Sequence, residues 1–252
     1  MAVAAGFGPA KGIATGNVLC VQDQGRLSNS PVNPHTEPHP GSAALLTIDV
    51  QRDFALPGAP LQIPGTLDVA PRIRRLLDAF RAAGRLIVHV VRLYQEDGAN
   101  VDPVRRAAVE GGQRMAAPGT EGAELLDELK PDPALRLDAE ALLRGQFQRL
   151  AENEFVMYKP RWGAFYGTSL EAFLRERAVD TIVLAGCNFP NCPRTTIYEA
   201  SERDFRIVAV VDAISGAYDR GVQELRNIGV LALTTDECLA WFAGERLSVQ
   251  KS

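Results

Sequence analysis

The sequence contains few of the residues that metal sites and disulfide frameworks require. Its 252 residues include four cysteines and three histidines. The cysteines form no paired C-x-x-C pattern, and their spacing suggests no disulfide framework. His35 and His39 fall in a proline-rich segment, and no carboxylate joins them in a metal-ligand pattern. We therefore expect no disulfide framework, no metal site and no cofactor.

Long apolar runs and an excess of basic residues are missing too. No apolar run approaches the roughly 18 residues that a membrane span needs. Residues 1–20 lack the basic start and firm apolar core of a signal peptide. The net charge is -4 and the sequence has no basic stripe, which argues against nucleic acid as a partner. We expect a cytoplasmic protein with reduced thiols that binds neither membranes nor nucleic acid.

The composition is that of a globular protein with a full core. Hydrophobic residues make up 46% of the chain and charged residues 23%. Four prolines between residues 31 and 40 argue against regular structure there. We therefore divide the chain into an N-terminal leader, residues 1–42, and a globular domain, residues 43–252. The leader is either a disordered tail or an arm that packs on a neighbouring subunit or covers a pocket.

Short apolar strands alternate with helical patterns along the globular domain. The patterns predict strands at 43–50, 86–91, 155–158, 181–185, 207–211 and 230–233. They predict helices at 69–83, 168–177, 192–203, 222–228 and 237–244. Segment 95–118 is polar and rich in glycine, and we expect a short helix and a surface excursion there without clear bounds. Segment 125–150 is ambiguous. This alternation predicts an α/β fold of three layers, α/β/α, with a mostly parallel central sheet.

Three reactive side chains lie where predicted strands end. They are Asp49, Lys159 and Cys192. Open α/β sheets bind ligands at the carboxyl ends of their strands, so the topology can bring the three together. A thiol can attack a carbonyl, a carboxylate can accept the thiol proton, and a cation can hold both groups in place. The alternatives are a loop cap for Asp49, a surface role for Lys159 and an inert core position for Cys192.

Cys192 lies on a strand-to-helix turn, with Pro193 suited to the first turn of the helix. The N–H groups and positive dipole at a helix N-terminus stabilise an anion. We therefore expect the pKa of Cys192 to be lowered from about 8.5 into the range of about 3.5–7.5. The same N–H groups are suited to hold an oxyanion.

Three segments carry a resemblance to a known family. They are residues 48–54 (IDVQRDF), 159–165 (KPRWGAF) and 186–200 (GCNFPNCPRTTIYEA). In this order the chain resembles the isochorismatase-like cysteine hydrolases, which include nicotinamidase, N-carbamoylsarcosine amidohydrolase and related amidases. The resemblance implies a small amide or N-carbamoyl substrate, release of ammonia through a thioester, and a homodimer or homotetramer.

The resemblance also assigns roles to residues. It makes Asp49 the general base, Lys159 its cationic partner and Cys192 the nucleophile. It implies a cis peptide bond between Cys187 and Asn188, and an oxyanion hole formed by the N–H groups of Asn188 and Cys192.

The chain departs from the family pattern at several positions. Pro193 stands where the family usually has valine, and Phe189 stands where threonine is frequent. The Asp-x-His metal site of nicotinamidases is replaced by residues 90–94, VVRLY. This departure from the family pattern indicates a metal-independent enzyme and argues against nicotinamide as substrate. The presence of Cys192 argues against hydrolysis of a vinyl ether.

The strand ends and the motifs also suggest substrate-binding residues. Arg92 ends the second predicted strand, and a guanidinium there would select a substrate with a carboxylate. Arg161 and Arg194 are weaker candidates, and each arginine has the alternative of a solvated surface position. The remaining predicted pocket residues are aromatic, namely Phe54, Tyr94, Trp162, Phe165 and Phe189. Phe165 is equally compatible with a place in the core.

Two other functions are compatible with the sequence. The first is a non-catalytic small-molecule binding or assembly protein that retains the fold. The second is a redox module that uses Cys187 and Cys192. The four residues between these cysteines do not form the C-x-x-C motif of thiol oxidoreductases, so we favour the hydrolase.

Overall fold

The computed structural model describes residues 33–245, which contain seven strands and eight α-helices. The strands are β1 (Ala43–Ile48), β2 (Ile87–Val91), β3 (Gln148–Ala151), β4 (Glu154–Tyr158), β5 (Thr181–Gly186), β6 (Arg206–Ile214) and β7 (Leu231–Leu233). The helices are α1 (Arg52–Ala55), α2 (Thr66–Ala82), α3 (Pro103–Glu110), α4 (Ala139–Leu143), α5 (Leu170–Arg175), α6 (Cys192–Ser201), α7 (Asp219–Asn227) and α8 (Thr235–Phe242).

The strands form one sheet in the order β3-β4-β2-β1-β5-β6-β7. Every neighbouring pair is parallel except β3 and β4, which pair antiparallel. The predicted α/β class with a mostly parallel sheet is confirmed. Strand β3 lies in the segment whose pattern was ambiguous. It forms the edge of the sheet through a two-residue connection to β4, as antiparallel neighbours allow.

Helices cover both faces of the sheet and bury them. Ile73, Leu77 and Phe80 of α2 share one apolar cluster with Trp241 of α8. Residues of α5, α6 and α7 form the cluster on the opposite face, including Leu174, Ile197 and Leu225. All six residues of β1 are buried, as the continuous apolar run predicted. Among residues 33–245, no helix is long and apolar enough to cross a membrane.

The order of the strands reverses direction between β1 and β5. The chain passes from β1 to β2 and β4 on one side, and β5 then begins the other side. A crevice forms at the carboxyl ends of the strands at such a switch point. The backbones approach closely here, since a Cβ at Gly186 would lie 2.3 Å from the carbonyl oxygen of Ile48. Gly186 also has φ +126°, so this position requires glycine.

The described part of the predicted leader is residues 33–42. It contains one short 3-10 turn, Pro40–Ser42, and contacts the start of β5 in the same chain. The His39 N–H donates to Thr181 Oγ1 at 2.9 Å, and His39 Nδ1 lies 2.7 Å from Asp180 Oδ2. Residues 1–32 and 246–252 lie outside the described residues. The division into a leader, residues 1–42, and a domain, residues 43–252, therefore stays a prediction.

Candidate active site

Asp49 and Lys159 form a buried ion pair at the carboxyl end of the sheet. Asp49 follows β1 with φ +52°, and Lys159 follows β4. Lys159 Nζ lies 2.9 Å from Asp49 Oδ2, and the two side chains are 0% and 2% exposed. If one partner of such a pair is removed, the other remains as an uncompensated buried charge, which destabilises the fold. The second carboxylate oxygen, Asp49 Oδ1, is buried and has no hydrogen-bond partner among residues 33–245.

Cys192 is the first residue of α6 and is partly buried. It lines one cavity with Asp49. Burial raises the pKa of Cys192 to about 12; the negative charge of Asp49 raises it further, while Lys159 opposes the shift. The expectation of a lowered pKa is therefore wrong, because burial disfavours the charged thiolate and the carboxylate of Asp49 repels it. The resting thiol is protonated at neutral pH.

The cavity brings together most of the residues predicted from the sequence. Four of the six predicted substrate-binding residues line it: Phe54, Arg92, Tyr94 and Trp162. Asn188 of the predicted oxyanion hole lines it as well. The remaining lining residues are Asp49, Ile63, Arg105, Cys187, Asn191 and Cys192.

Phe165 and Phe189 are not brought to the cavity, so we correct the prediction that they contact substrate. Phe165 packs against Phe205, with ring centroids 5.7 Å apart. Phe189 is 0% exposed, and its ring meets Tyr218 edge-on at 5.3 Å. Large apolar rings gain free energy from complete burial, and the cluster beside α6 provides it for both.

Helix α6 also holds the loop that follows Lys159. The Ala164 N–H donates to Thr196 Oγ1 at 3.1 Å, and this hydroxyl donates to the Cys192 carbonyl oxygen at 2.8 Å. The Phe165 N–H donates to Glu199 Oε2 at 2.9 Å. Sequence reasoning missed Thr196 and Glu199 as positioning residues. The structure shows why glycine stands at position 163, because any Cβ there would overlap the Glu199 carboxylate.

Arg92 is 1% exposed, and its guanidinium donates hydrogen bonds to oxygen atoms of the protein. Its Nη1 donates to the Lys159 carbonyl oxygen and its Nη2 to Asp102 Oδ2, both at 2.8 Å. The guanidinium also lies over the Tyr94 ring, 4.7 Å from the centroid. Burial raises the pKa of Tyr94 to about 12, so its hydroxyl stays protonated and donates to Asp102 Oδ2. Arg92 therefore links the ends of β2 and β4 beside the cavity that it lines.

The other two candidate arginines lie away from the cavity lining. Arg161 Nη1 donates to the carbonyl oxygens of Asn100 and Pro160. Arg194 donates to the Tyr218 hydroxyl and pairs with Glu224, and these two residues lie at the N-cap and within α7. The arginine that does line the cavity beside Arg92 is Arg105, in the first turn of α3. Sequence reasoning missed it because segment 95–118 shows no clear pattern.

Two further residues of the segment after β1 have structural contacts. Gln51 donates to the carbonyl oxygens of Arg92 and Ala123 and accepts from the Arg92 N–H at 2.8 Å. Asp53 accepts the Ala116 N–H at 2.6 Å. These side chains fasten the loop before α4 to the strand ends, which keeps the cavity walls in place.

The predicted cis peptide bond between Cys187 and Asn188 is wrong, since residues 33–245 contain no cis peptide bond. A trans bond is favoured by about 3–4 kcal/mol for a non-proline residue. The loop satisfies its neighbouring N–H groups in this form. Cys187 donates to the Ile48 carbonyl oxygen and Phe189 to that of Ser215, both at 2.8 Å.

Cys187 lines the same cavity as Cys192, but both are free thiols. Burial raises the pKa of Cys187 to about 12. A protonated thiol is a poor nucleophile for disulfide exchange, which weakens the redox interpretation. In the part of the chain that the structure describes, no group of three His, Cys, Asp or Glu side chains is placed to hold a metal ion.

Comparisons with known proteins agree with this architecture. Residues 43–237 match the family described as the Isochorismatase domain. A protein of Arabidopsis thaliana named a probable inactive nicotinamidase is 31% identical over 202 residues, which cover 78% of this chain and 94% of that protein. The maleamate amidohydrolase of Pseudomonas putida is 30% identical, covering 68% of this chain and 71% of that enzyme.

A solved structure shares the fold as well. It is an isochorismatase family protein from Desulfovibrio vulgaris, with a TM-score of 0.69 and 32% sequence identity. The alignment covers 80% of this chain and 98% of that one.

Proposed function

Because the chain belongs to the isochorismatase family, we propose that it is an amidohydrolase that uses Cys192 as a nucleophile on a small amide or N-carbamoyl compound. Relatives of this chain include an amidohydrolase, an enzyme that hydrolyses a C–N bond. The observation that carries the proposal is the Asp49–Lys159 ion pair of 2.9 Å next to the cavity that Cys192 lines.

In the proposed first step, Asp49 accepts the thiol proton as the Cys192 sulfur attacks the substrate carbonyl carbon. Because the pKa of Cys192 is raised, we assign this proton transfer to the attack itself, when substrate is in place. The unpartnered oxygen of Asp49 is available to accept this proton. Lys159 keeps Asp49 oriented and compensates its charge.

The tetrahedral intermediate carries an oxyanion, which needs hydrogen-bond donors. We assign this role to the N–H groups of Asn188 and Cys192. Neither N–H donates to another group among residues 33–245, and both residues line the cavity. Collapse of the intermediate breaks the C–N bond, and the proton held by Asp49 passes to the leaving nitrogen, which departs as ammonia.

In the second half of the reaction, water attacks the thioester carbon and gives its proton to Asp49. The C–S bond then breaks, and that proton returns to the Cys192 sulfur. The net reaction consumes one water and converts an amide to a carboxylic acid and ammonia, with no change in oxidation state. An N-carbamoyl compound would give ammonia and a carbamic acid, which breaks down to an amine and carbon dioxide.

We further propose that the reaction needs no metal. The residues that follow β2 are Arg92, Leu93 and Tyr94, and none of these side chains is a usual ligand of a divalent cation. The polarising role falls instead to main-chain donors and to buried cations. By the same resemblance we propose a cytoplasmic homodimer or homotetramer, which light scattering of the purified protein would test.

A second candidate function is a non-catalytic small-molecule binding protein. This candidate is supported by the relative that is named a probable inactive nicotinamidase and is 31% identical to this chain. A binding protein would hold small amides without releasing ammonia, whereas the amidohydrolase would consume them.

The experiment is an ammonia-release assay on a panel of small amides and N-carbamoyl amino acids, with and without chelator. We expect turnover that chelator does not reduce and that the Cys192→Ala variant lacks. Mass spectrometry of the acid-quenched wild-type protein should detect an acyl group on Cys192. Binding without ammonia release would favour the second candidate, and unchanged turnover in Cys192→Ala would exclude the proposed nucleophile.

A further inference from the structure

Two arginines line the cavity, and they differ in how many donors remain unused. Both terminal nitrogens of Arg92 donate to protein oxygens at 2.8 Å, and its side chain is 1% exposed. Arg105 is 25% exposed, and only its Nη1 forms a contact, 3.3 Å from the Tyr94 hydroxyl oxygen. Among residues 33–245, Arg105 Nε and Nη2 donate to no acceptor. Arg105 can therefore still offer a pair of N–H donors to a ligand.

The charges around the cavity do not balance. Lys159 compensates Asp49 at 2.9 Å, and Arg92 compensates Asp102 at 2.8 Å. Arg105 reaches Asp102 only at 3.6 Å, as the second cation beside one carboxylate. Within the described residues Arg105 forms no other ion pair, so its positive charge has no carboxylate of its own. An anionic ligand group would complete this cluster.

From these contacts we propose that Arg105 binds a carboxylate of the substrate and thereby selects anionic amides or N-carbamoyl acids. This inference rests on the proposed function and deepens it. The planar guanidinium can bind a carboxylate with two parallel hydrogen bonds, which adds direction as well as charge. Tyr94 and Asp102 position Arg105 from one side, which leaves the opposite edge of the guanidinium for the ligand. Arg92 has a different role, since its contacts hold the Lys159 backbone.

The test compares charged substrates with neutral analogues of similar shape. Succinamate is paired with butyramide, and N-carbamoylglycine with N-ethylurea. We expect wild type to prefer the charged member of each pair. The Arg105→Gln variant should lose about 10- to 100-fold in kcat/KM on charged members, the range expected for hydrogen bonds to a charged group. On neutral members it should change by less than about 3-fold.

Two further variants make the result specific. Arg105→Lys keeps the positive charge but lacks the planar pair of N–H donors. On charged substrates we expect its kcat/KM to lie between those of wild type and Arg105→Gln. Arg114→Gln removes the same charge from a residue outside the cavity lining that is 65% exposed, and it should behave as wild type. An equal loss on charged and neutral members would overturn the inference, as would no loss on the charged ones. A wild type without preference for charged members would overturn it and leave the amidohydrolase proposal standing.

A binding measurement separates this inference from the proposed function. Calorimetry would measure the affinity of succinate, a dicarboxylate, for the Cys192→Ala protein and for the Arg105→Gln/Cys192→Ala protein. We expect a Kd at least about 10-fold weaker in the double variant. If wild type releases ammonia from no compound, the proposed function fails, but the succinate Kd values still test whether Arg105 binds a carboxylate. An unchanged Kd, or no succinate binding at all, would overturn the role of Arg105.

Discussion

Asp49 and Lys159, which are 110 residues apart in the chain, meet as an ion pair in which neither side chain is more than 2% exposed. Removing one partner leaves an uncompensated buried charge, which typically costs about 3–5 kcal/mol. We predict this loss in the free energy of unfolding for Lys159→Met, measured by urea denaturation.

The double variant Asp49→Asn/Lys159→Met removes both charges and should be more stable than Lys159→Met alone. Arg114→Met, which breaks the exposed pair with Glu96, should cost no more than about 1 kcal/mol. If Lys159→Met lost no more free energy of unfolding than Arg114→Met, the buried ion pair would not contribute to stability as proposed.

The protonation state of Cys192 gives a second prediction. Because the Asp49 charge helps to raise the pKa of Cys192 to about 12, the Asp49→Asn variant should ionise this thiol more readily. We expect faster alkylation of Cys192 by iodoacetamide at pH 8 in Asp49→Asn than in wild type, together with loss of turnover. Peptide mass spectrometry would follow Cys192 separately from the other cysteines.

The matched control for that measurement is Asp132→Asn, which removes an exposed loop carboxylate. It should alkylate at the wild-type rate. Slower alkylation in Asp49→Asn would contradict the electrostatic explanation of the raised pKa.

The lowered pKa of Glu154, on β4, leads to a prediction about how the stability of the protein depends on pH. Burial alone would raise the pKa of Glu154, but hydrogen bonds and charges from Arg81 and His89 lower it to about 2. Its folded pKa lies below the ordinary value of 4.5, so the stability it contributes is present above about pH 4.5 and is lost as the pH falls towards 2. This shift corresponds to about 3 kcal/mol.

The Glu154→Gln variant should therefore be less stable than wild type at pH 6, and the difference should shrink at pH 3. Thermal unfolding at both pH values measures it. A difference that stays constant between pH 6 and pH 3 would show that Glu154 is not the group that titrates.

Gly186 gives a prediction about the backbone beneath the site. In Gly186→Ala the new Cβ would lie 2.3 Å from the Ile48 carbonyl oxygen, at φ +126°. The ends of β1 and β5 would have to separate, so we expect a loss of more than about 3 kcal/mol in the free energy of unfolding.

Gly58→Ala is the control, because Gly58 also has a positive φ, +77°, but a Cβ there meets nothing within 4 Å. It should cost only the strain of the left-handed conformation, about 1–2 kcal/mol. Equal losses in the two variants would mean that the close approach at Gly186 contributes little.

The sequence by itself determined the order of six of the seven strands and five of the eight α-helices in residues 33–245, and the residues at the strand ends. Buried parallel strands are continuous apolar runs, and amphipathic helices repeat their apolar residues every three to four positions, so both are visible locally. Parallel topology then brings strand ends to one edge, which is why Asp49, Lys159 and Cys192 could be selected before their contacts were known. The edge strand β3 lacked such a pattern and was missed.

The tertiary structure alone decided what surrounds those residues. Whether Phe165 and Phe189 face the cavity or the core depends on helices packed from elsewhere in the chain. The pKa of Cys192 depends on burial and on Asp49, both set by folding, so the local helix-end argument predicted the wrong direction. Arg105 enters the cavity from a segment without periodicity. Burial and charge pairing are non-local properties, and the linear pattern of one chain does not contain the distances on which they depend.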